Sequence, residues 1–259
     1  MHNYPHIQQI DEDILTKLGM PKPLIIAGPC AIENEQDLEE YIKTLLAEGV
    51  TYLRGGIFKP RTSPHDFQGL GSEAIEMLKR LKAKYPIKIV TEITDGSQLE
   101  ALEEVVDILQ IGTRNMYNYE LLKKVSMSKK PVLLKRGFSS TIDEWLGAAE
   151  YLMQNGNSNI ILCERGIRTF EPLLRNTLDL AGALLTKEIS HLPVIIDPSH
   201  ATGNAALVPN LAKAALVAGC DGFMIEIHKN PACSLSDPNQ AIDLDTFKKL
   251  MNEVKGLIK

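Results

Sequence analysis

Short apolar runs alternate with longer amphipathic segments along most of the chain. Eight runs of four or five residues predict strands at 24–27, 51–54, 87–91, 108–111, 132–135, 160–163, 194–197 and 222–226. Most of these runs are continuously apolar rather than alternating in polarity, which is typical of strands buried on both faces of a parallel sheet. The pattern therefore predicts a parallel sheet covered by helices.

The segments between the runs have the periodicity of helices. In the first segment, Leu38, Ile42 and Leu45 lie on one apolar stripe, and Gly49 stands where a glycine commonly ends a helix. The fifth opens with a capping box that begins at Thr141 and includes Glu144. The other predicted helices cover about 70–84, 97–105, 117–126, 173–187, 209–219 and 239–257.

Eight strands, each followed by a helix, predict a (β/α)8 barrel, the TIM-barrel fold of the α/β class. A doubly wound open sheet is the alternative, but it usually starts with a G-x-G-x-x-G turn, and Gly28-Pro29-Cys30 does not match one. No linker or change of composition divides the chain. We therefore predict one catalytic barrel domain over 24–259 and a short N-terminal extension over 1–23.

Composition and charge exclude several classes of protein. The net charge is −5, and the Lys and Arg residues are scattered rather than gathered in the basic stripe of a nucleic-acid binder. No run reaches the roughly 18 apolar residues of a membrane span, and the first residues lack the features of a secretory signal. The four cysteines have no C-x-x-C spacing. These features predict a cytoplasmic protein with no nucleic-acid or membrane partner.

Polar residues gather where the predicted strands end. They are Cys30, Arg54, Glu92, Arg114, Lys135, Glu164, Arg165, Asp197, Glu226 and His228. In a barrel, the carboxyl ends of the strands carry the active site. A single charge at such a position is explained equally well as the start of a solvated loop, but the agreement of eight strands favours an enzyme.

Many of these strand-end residues are cations. With the two cations of the loop 55–65, eight are predicted on this face: Arg54, Lys59, Arg61, Arg114, Lys135, Arg136, Arg165 and Arg168. In a chain of net negative charge, they concentrate positive potential in one place. We expect some to pair with nearby carboxylates, but they are too many for all to do so. The sequence therefore predicts an anionic substrate and two phosphate-sized sites.

A second group combines four residues of the kinds that bind metals: Cys30, His200, Glu226 and Asp237. They follow the first, seventh and eighth strands, which become neighbours when a barrel closes. A thiolate, an imidazole and two carboxylates suit a divalent transition metal. Each residue also has an ordinary structural explanation: a packed thiol, a loop histidine, a strand-end charge or a helix cap.

Seven segments in this order resemble those of a known family. They are 27–30 (AGPC), 53–56 (LRGG), 58–64 (FKPRTSP), 111–116 (IGTRNM), 134–137 (LKRG), 163–166 (CERG) and 197–203 (DPSHATG). From about residue 24 to its end, the chain resembles the type I beta 3-deoxy-D-arabino-heptulosonate 7-phosphate (DAHP) synthases. The resemblance implies a metal-dependent (β/α)8 enzyme. It would condense phosphoenolpyruvate with erythrose 4-phosphate and release phosphate, at the first step of the shikimate pathway to the aromatic amino acids.

The resemblance also implies roles for individual residues. One divalent ion (Mn²⁺, Fe²⁺, Co²⁺ or Zn²⁺) would be held by Cys30, His200, Glu226 and Asp237. Phosphoenolpyruvate would be bound by Arg54, Lys59, Arg114, Lys135 and Arg165. Erythrose 4-phosphate would be bound by Lys59, Pro60, Arg61 and Thr62. The expected catalytic residues are Lys59, as the acid that protonates the developing alkoxide, together with Glu92, Cys30 and His200.

Two other functions remain open at this point. The first is 3-deoxy-D-manno-octulosonate 8-phosphate synthase, a similar barrel that uses arabinose 5-phosphate. Its members carry an alanine-asparagine-arginine-serine stretch where residues 59–62 read Lys-Pro-Arg-Thr, so the sequence favours the four-carbon sugar. The second is a non-catalytic barrel that acts as a binding protein. The resemblance also implies a homodimer or homotetramer.

Overall fold

Eight parallel strands close into a barrel. The computed structural model describes residues 3–59, 61 and 63–257. The strands are β1 Leu24–Gly28, β2 Tyr52–Arg54, β3 Lys88–Ile93, β4 Ile108–Ile111, β5 Val132–Lys135, β6 Ile160–Glu164, β7 Val194–Ile196 and β8 Gly222–Glu226. They pair in chain order, and β8 pairs with β1 to close the sheet. The predicted (β/α)8 fold is confirmed.

A short helix precedes the first strand, and the other helices follow the strands of the barrel. They are α1 Ile14–Lys17, α2 Glu35–Ala47, α3 Ser72–Lys84, α4 Leu99–Glu103, α5 Tyr119–Ser126, α6 Ile142–Gln154, α7 Leu180–Ser190, α8 Pro198–Thr202, α9 Val208–Ala218 and α10 Leu244–Leu257. The predicted capping box at Thr141 and Glu144 begins α6. Gly49, with φ of 81°, follows α2 in the left-handed conformation expected of it.

Two helices begin later than the sequence predicts. The segment from 173 is a bent, irregular loop rather than a helix, because Arg175 and Asn176 donate their N–H groups to the carbonyls of Thr202 and Ala201. Helix α7 therefore starts only after Asp179 caps it. The last helix was predicted from 239 but begins at Leu244, because the preceding residues run beside the end of β8.

The apolar core has two layers. Outward-facing strand residues pack against the helices, while inward-facing residues fill the barrel. Leu15 of α1 is fully buried in the inner layer, with Met20 packed against it. Part of the N-terminal extension therefore packs into the barrel.

The innermost apolar layer fixes the position of the polar residues above it. Side chains along a strand alternate between faces, so residues two positions further on point the same way. In each strand, we consider the residue two positions after the last interior apolar residue. These residues are Gly28, Arg54, Glu92, Gln110, Lys135, Arg165, Asp197 and Glu226. Seven of these eight residues are polar. The uppermost interior layer of the barrel is therefore the floor of a polar site.

Candidate active site

A cavity opens at the carboxyl ends of the strands, above this polar floor. Its described lining residues are Cys30, Arg54, Gly55, Gly56, Lys59, Arg61, Asp66, Val90, Thr91, Glu92, Gln110, Gly112, Thr113, Arg114, Lys135, Phe138, Arg165, Arg175, His200 and Asp237. Loops from every part of the barrel contribute to it. This is where the sequence predicted an active site.

Barrel closure brings together the four residues of metal-binding type. One ligand atom from each of Cys30, His200, Glu226 and Asp237 lies within 4.8 Å of the others. Gly28 pairs with Glu226 where β1 meets β8. This pairing places Cys30, two residues after Gly28, near the end of β8. Cys30 Sγ lies 3.3 Å from Asp237 Oδ2, and His200 Nε2 lies 3.3 Å from Glu226 Oε1. The four residues could hold a metal ion.

Asp197 sets the orientation of the His200 ring. Its Oδ2 lies 2.7 Å from His200 Nδ1, so this nitrogen carries the proton and Nε2 is left to face Glu226. Burial lowers the pKa of His200 to about 4, which leaves the ring neutral. Burial also disfavours the charge of Asp197, but His200 and the Lys135 ammonium hold its pKa well below the usual range. The result is an imidazole with a lone pair available at Nε2.

Glu226 is fully buried and held on both carboxylate oxygens. Arg54 Nη1 donates to Oε1 over 2.8 Å, and Gln240 Nε2 donates to Oε2 over 2.6 Å. Burial opposes its ionisation, but the nearby His200 and Arg54 lower its pKa to about 2. Glu226 is therefore a fixed negative charge.

Cys30 is buried beside this charge. Burial and the Glu226 carboxylate raise the pKa of the thiol to about 12. Lys59 Nζ donates to Cys30 Sγ over 2.9 Å. A divalent cation among the four residues would act in the opposite direction and favour the thiolate.

The cations of the cavity differ in how far they are already neutralised. Arg54 is paired with Glu226 and Lys135 with Asp197. Within the described ranges, neither Arg114 nor Arg165 has a carboxylate within 4.0 Å. Arg165 is only 2% exposed, and burial lowers its pKa to about 10. An unpaired, buried guanidinium is strongly stabilised by an anionic ligand.

One aromatic ring borders this group. Phe138 lines the cavity, and the Cζ atoms of Arg165 and Arg114 lie 4.9 Å and 6.0 Å from its centroid. The face of the Phe138 ring therefore attracts both guanidinium groups.

Two of the eight predicted cations do not line the cavity. Arg136 points away from the cavity and pairs with Glu164 and Asp179, at 2.9 Å and 2.8 Å. Neighbouring residues of a strand face opposite sides, so Lys135 and Arg136 could not both point inward. Arg168 is exposed above Phe138 and is not among the described lining residues. The prediction was wrong for Arg136, whose side chain points outward, whereas Arg168 stays on the predicted face without lining the cavity.

The remaining predicted residues are placed as follows. Arg61 lines the cavity and pairs with Asp66 at 3.2 Å. Pro60 and Thr62, predicted for the sugar phosphate, lie outside the described residues. Glu92 lies on β3 rather than after it, and its carboxylate packs against the backbone of Gly112.

Sequence reasoning missed four residues at or beside the cavity: Gln110, Phe138, Arg175 and Gln240. The alternation of β4 could have identified Gln110, because it stands two residues after the interior residue Ile108. Arg175 and Gln240 lie in loops without periodicity, and Phe138 looks like an ordinary apolar residue. No pattern in a single sequence marks these three.

Sequence comparison with known proteins shows the family to which the chain belongs. The model of the DAHP synthetase I family matches residues 8–259. The chain belongs to this family. The phospho-2-dehydro-3-deoxyheptonate aldolase of Thermotoga maritima is 47% identical over 241 residues, which are 93% of this chain and 71% of that protein.

Solved structures of the family give the same fold. The crystal structure of the Thermotoga maritima DAHP synthase superposes with a TM-score of 0.87 at 48% identity, covering 90% of this chain and 68% of that one. A truncated form of the DAHP synthase from that organism gives 0.84 at 44% identity, covering 90% and 85%. A 2-dehydro-3-deoxyphosphooctonate aldolase from Thiobacillus denitrificans is more distant, at 30% identity over 92% of this chain and 91% of that protein.

Proposed function

We propose that this chain is a DAHP synthase, a transferase that condenses phosphoenolpyruvate with erythrose 4-phosphate and water. The observation that carries the proposal is that one cavity combines a buried arginine without a carboxylate partner in the described structure and four residues that could hold a metal ion. Family membership and the Thermotoga relative support the same reaction. The unpaired, buried Arg165 indicates an anionic ligand, and the candidate metal ligands in the same cavity favour catalysis over binding alone.

The donor set fits one divalent transition-metal ion. Sulfur, imidazole nitrogen and two carboxylates suit Mn²⁺, Fe²⁺, Co²⁺ or Zn²⁺, and the neutral His200 ring presents its free nitrogen to the other three residues. Cys30, His200, Glu226 and Asp237 would hold the ion. When bound, it would supply Lewis acidity to the aldehyde of the sugar.

Phosphoenolpyruvate would lie on the cationic floor. Arg165 and Arg114 have no carboxylate partner in the part of the chain that the structure describes, so they supply most of the net attraction. Arg54, Lys135 and Lys59 would add hydrogen bonds. Because these donors come from the ends of β2, β4, β5 and β6, they would fix the orientation of the substrate and hold its C3 atom for attack.

Erythrose 4-phosphate would bind at the loop after β2. Its phosphate would lie on Arg61, with Lys59, Pro60 and Thr62 completing the site. Arg61 Nη2 is shared with Asp66 over 3.2 Å, and its Nη1 is buried without a partner in the described structure. A phosphate oxygen would satisfy that nitrogen.

The chemistry then needs one proton donor and one water. C3 of phosphoenolpyruvate attacks the aldehyde carbon, water adds at C2, and the C2–O bond breaks to release phosphate. Lys59 would protonate the new alkoxide. Burial disfavours its charge, but Cys30 and Glu226 raise the pKa of Lys59, so it holds a proton to donate. Glu92 would order or deprotonate the water.

The proposed function also includes the extent of the catalytic domain, the location of the protein and its oligomeric state. We assign catalysis to a barrel domain over 24–259, with 1–23 as an extension. Across the described residues, no helix combines the length and apolar character needed to cross a membrane. We propose a cytoplasmic homodimer or homotetramer.

Chelation tests the proposal. Loss of phosphoenolpyruvate absorbance and release of inorganic phosphate should proceed at equal rates with the metal-loaded chain and erythrose 4-phosphate. EDTA should stop both, and added Mn²⁺ or Co²⁺ should restore them. Full turnover in a chain shown by elemental analysis to hold no metal would contradict the proposal.

A further inference from the structure

Gln240 links a candidate metal ligand to an arginine on another loop. Its side chain is only 2% exposed. The amide nitrogen Nε2 donates to Glu226 Oε2 over 2.6 Å, and the amide oxygen Oε1 accepts from Arg175 Nη1 over 2.5 Å. Both ends of a single buried amide are therefore used.

Arg175 makes a second contact within the same group. Its Nη1 lies 3.4 Å from Asp237 Oδ1, while the other carboxylate oxygen of Asp237 faces Cys30 Sγ at 3.3 Å. The backbone of Arg175 is anchored by its N–H, which donates to the carbonyl of Thr202. One guanidinium from the β6–α7 loop thus reaches two residues of the loop that follows β8.

We propose that Arg175 and Gln240 form a clamp that sets the orientation of Glu226 and Asp237 towards a divalent cation. The proposal rests on the metal site of the proposed function, and it assigns these two positioning residues to it. Neither residue belongs to the group of four that could hold the ion.

The direction of the Gln240 amide explains how the clamp works. A guanidinium has only donors, so Arg175 can contact the amide only at its oxygen. That contact turns the NH₂ group towards Glu226. If the amide were reversed, its oxygen would face a carboxylate and an unfavourable contact would result.

Gln240 holds Oε2 of Glu226, so the other oxygen, which also accepts from Arg54, faces the site. Oε1 lies 3.3 Å from His200 Nε2, on the side where the candidate ligands meet. Arg175 acts on Asp237 in the same way, because it engages Oδ1 and leaves Oδ2 facing Cys30. The clamp therefore selects one oxygen of each carboxylate for the ion, and such outer contacts tune metal affinity.

Two variants test the clamp. Gln240→Met keeps the volume of the side chain and removes both hydrogen bonds, while Arg175→Met changes a partly exposed residue with little risk to folding. Gln154→Met and Arg80→Met are matched controls, because both residues are exposed and far from the cavity. The measurement is the dissociation constant for Co²⁺ without substrates, by competition with a chromophoric chelator.

We expect both clamp variants to bind Co²⁺ about 10 to 100 times more weakly than the parent chain, and the controls to bind as the parent does. The d–d bands of bound Co²⁺ should change because carboxylate coordination changes, while the thiolate charge-transfer band from Cys30 should remain. The double variant should bind at least as weakly as either single variant, because Arg175 also holds Asp237 directly.

An unchanged dissociation constant and unchanged d–d bands in both variants would overturn the clamp. If the metal-free Gln240→Met chain unfolds at a lower temperature than the parent chain, the Co²⁺ affinity of Arg175→Met alone tests the clamp. If the parent chain binds Co²⁺ and turns over substrate, and both variants bind Co²⁺ as tightly as the parent, the clamp is refuted and the proposed function stands. A parent chain that binds no divalent ion refutes the metal site and the clamp together.

Discussion

Lys59 stands between the two halves of the site, with its ammonium 2.9 Å from Cys30 and its loop bordering the arginine floor. A group in this place can reach a substrate held by the ion and a substrate held by the arginines. Its raised pKa keeps it protonated at neutral pH. These properties suit a proton donor better than a simple anion-binding residue.

Replacing Lys59 by Ala is expected to reduce kcat by about 10² to 10⁴, the usual contribution of a positioned acid. Metal content should stay at the parent level, because the four ligand residues are retained. The measurement is kcat together with metal per chain by elemental analysis. Lys129→Ala, at an exposed position, is the control. Substantial remaining turnover in Lys59→Ala would remove this residue from the proton-donor role.

Asp197 acts on the site indirectly, through its contact with His200. Asp197→Asn keeps the shape of the side chain and removes the charge that fixes the ring. We expect metal affinity about 10 to 100 times weaker, measured as the dissociation constant for Co²⁺. Asp95→Asn serves as a control, because Asp95 only caps a short turn at the surface. Parent-like affinity in Asp197→Asn would show that the hydrogen bond to His200 does not order the ligand.

The Glu92 side chain of β3 lies directly against Gly112, the residue after β4, where both border the cavity. A Cβ atom on Gly112 would lie 1.9 Å from Glu92 Oε1. Gly112 has an ordinary backbone conformation, with φ of −71°. The requirement for glycine is therefore one of space alone, and it ties the residue after β4 to the carboxylate on β3.

Gly112→Ala is accordingly expected to displace Glu92 and reduce kcat at least tenfold, since misplacing a reacting group by about 1 Å can cost 10²-fold. The control is Gly147→Ala in α6, where the nearest atom to a new Cβ is 3.6 Å away. That change should leave kcat alone and stabilise the helix by about 0.5 to 1 kcal/mol. Equal kcat in the Gly112→Ala and parent chains would show that the position of Glu92 does not matter.

The elements were largely predictable because strand and helix periodicities differ. All eight strands follow from continuous apolar runs, and α2 and α6 follow from their stripes and ends. The starts of α7 and α10 could not be predicted, because long-range hydrogen bonds hold residues before each helix in a non-helical conformation. Alternation along a strand also places Lys135 inside and Arg136 outside, so the orientation of these two cations could be predicted from the sequence.

For the whole molecule, closure of the barrel turns separate strand ends into one site. Cys30 and Glu226 are almost 200 positions apart in sequence, yet the β1–β8 pairing makes them neighbours. Residues on strand ends could be predicted from topology alone. Arg175 and Gln240 could not, because loop conformation decides where their side chains go.

The measurement that tests the central claim most directly compares two sugars. Metal-loaded chain would be given phosphoenolpyruvate with erythrose 4-phosphate or with arabinose 5-phosphate, and loss of phosphoenolpyruvate absorbance would be followed in parallel. We expect EDTA-sensitive turnover with the four-carbon sugar and none with the five-carbon sugar. Turnover with arabinose 5-phosphate alone would contradict the proposed substrate. A folded, metal-loaded chain that consumes phosphoenolpyruvate with neither sugar would contradict the proposed enzyme.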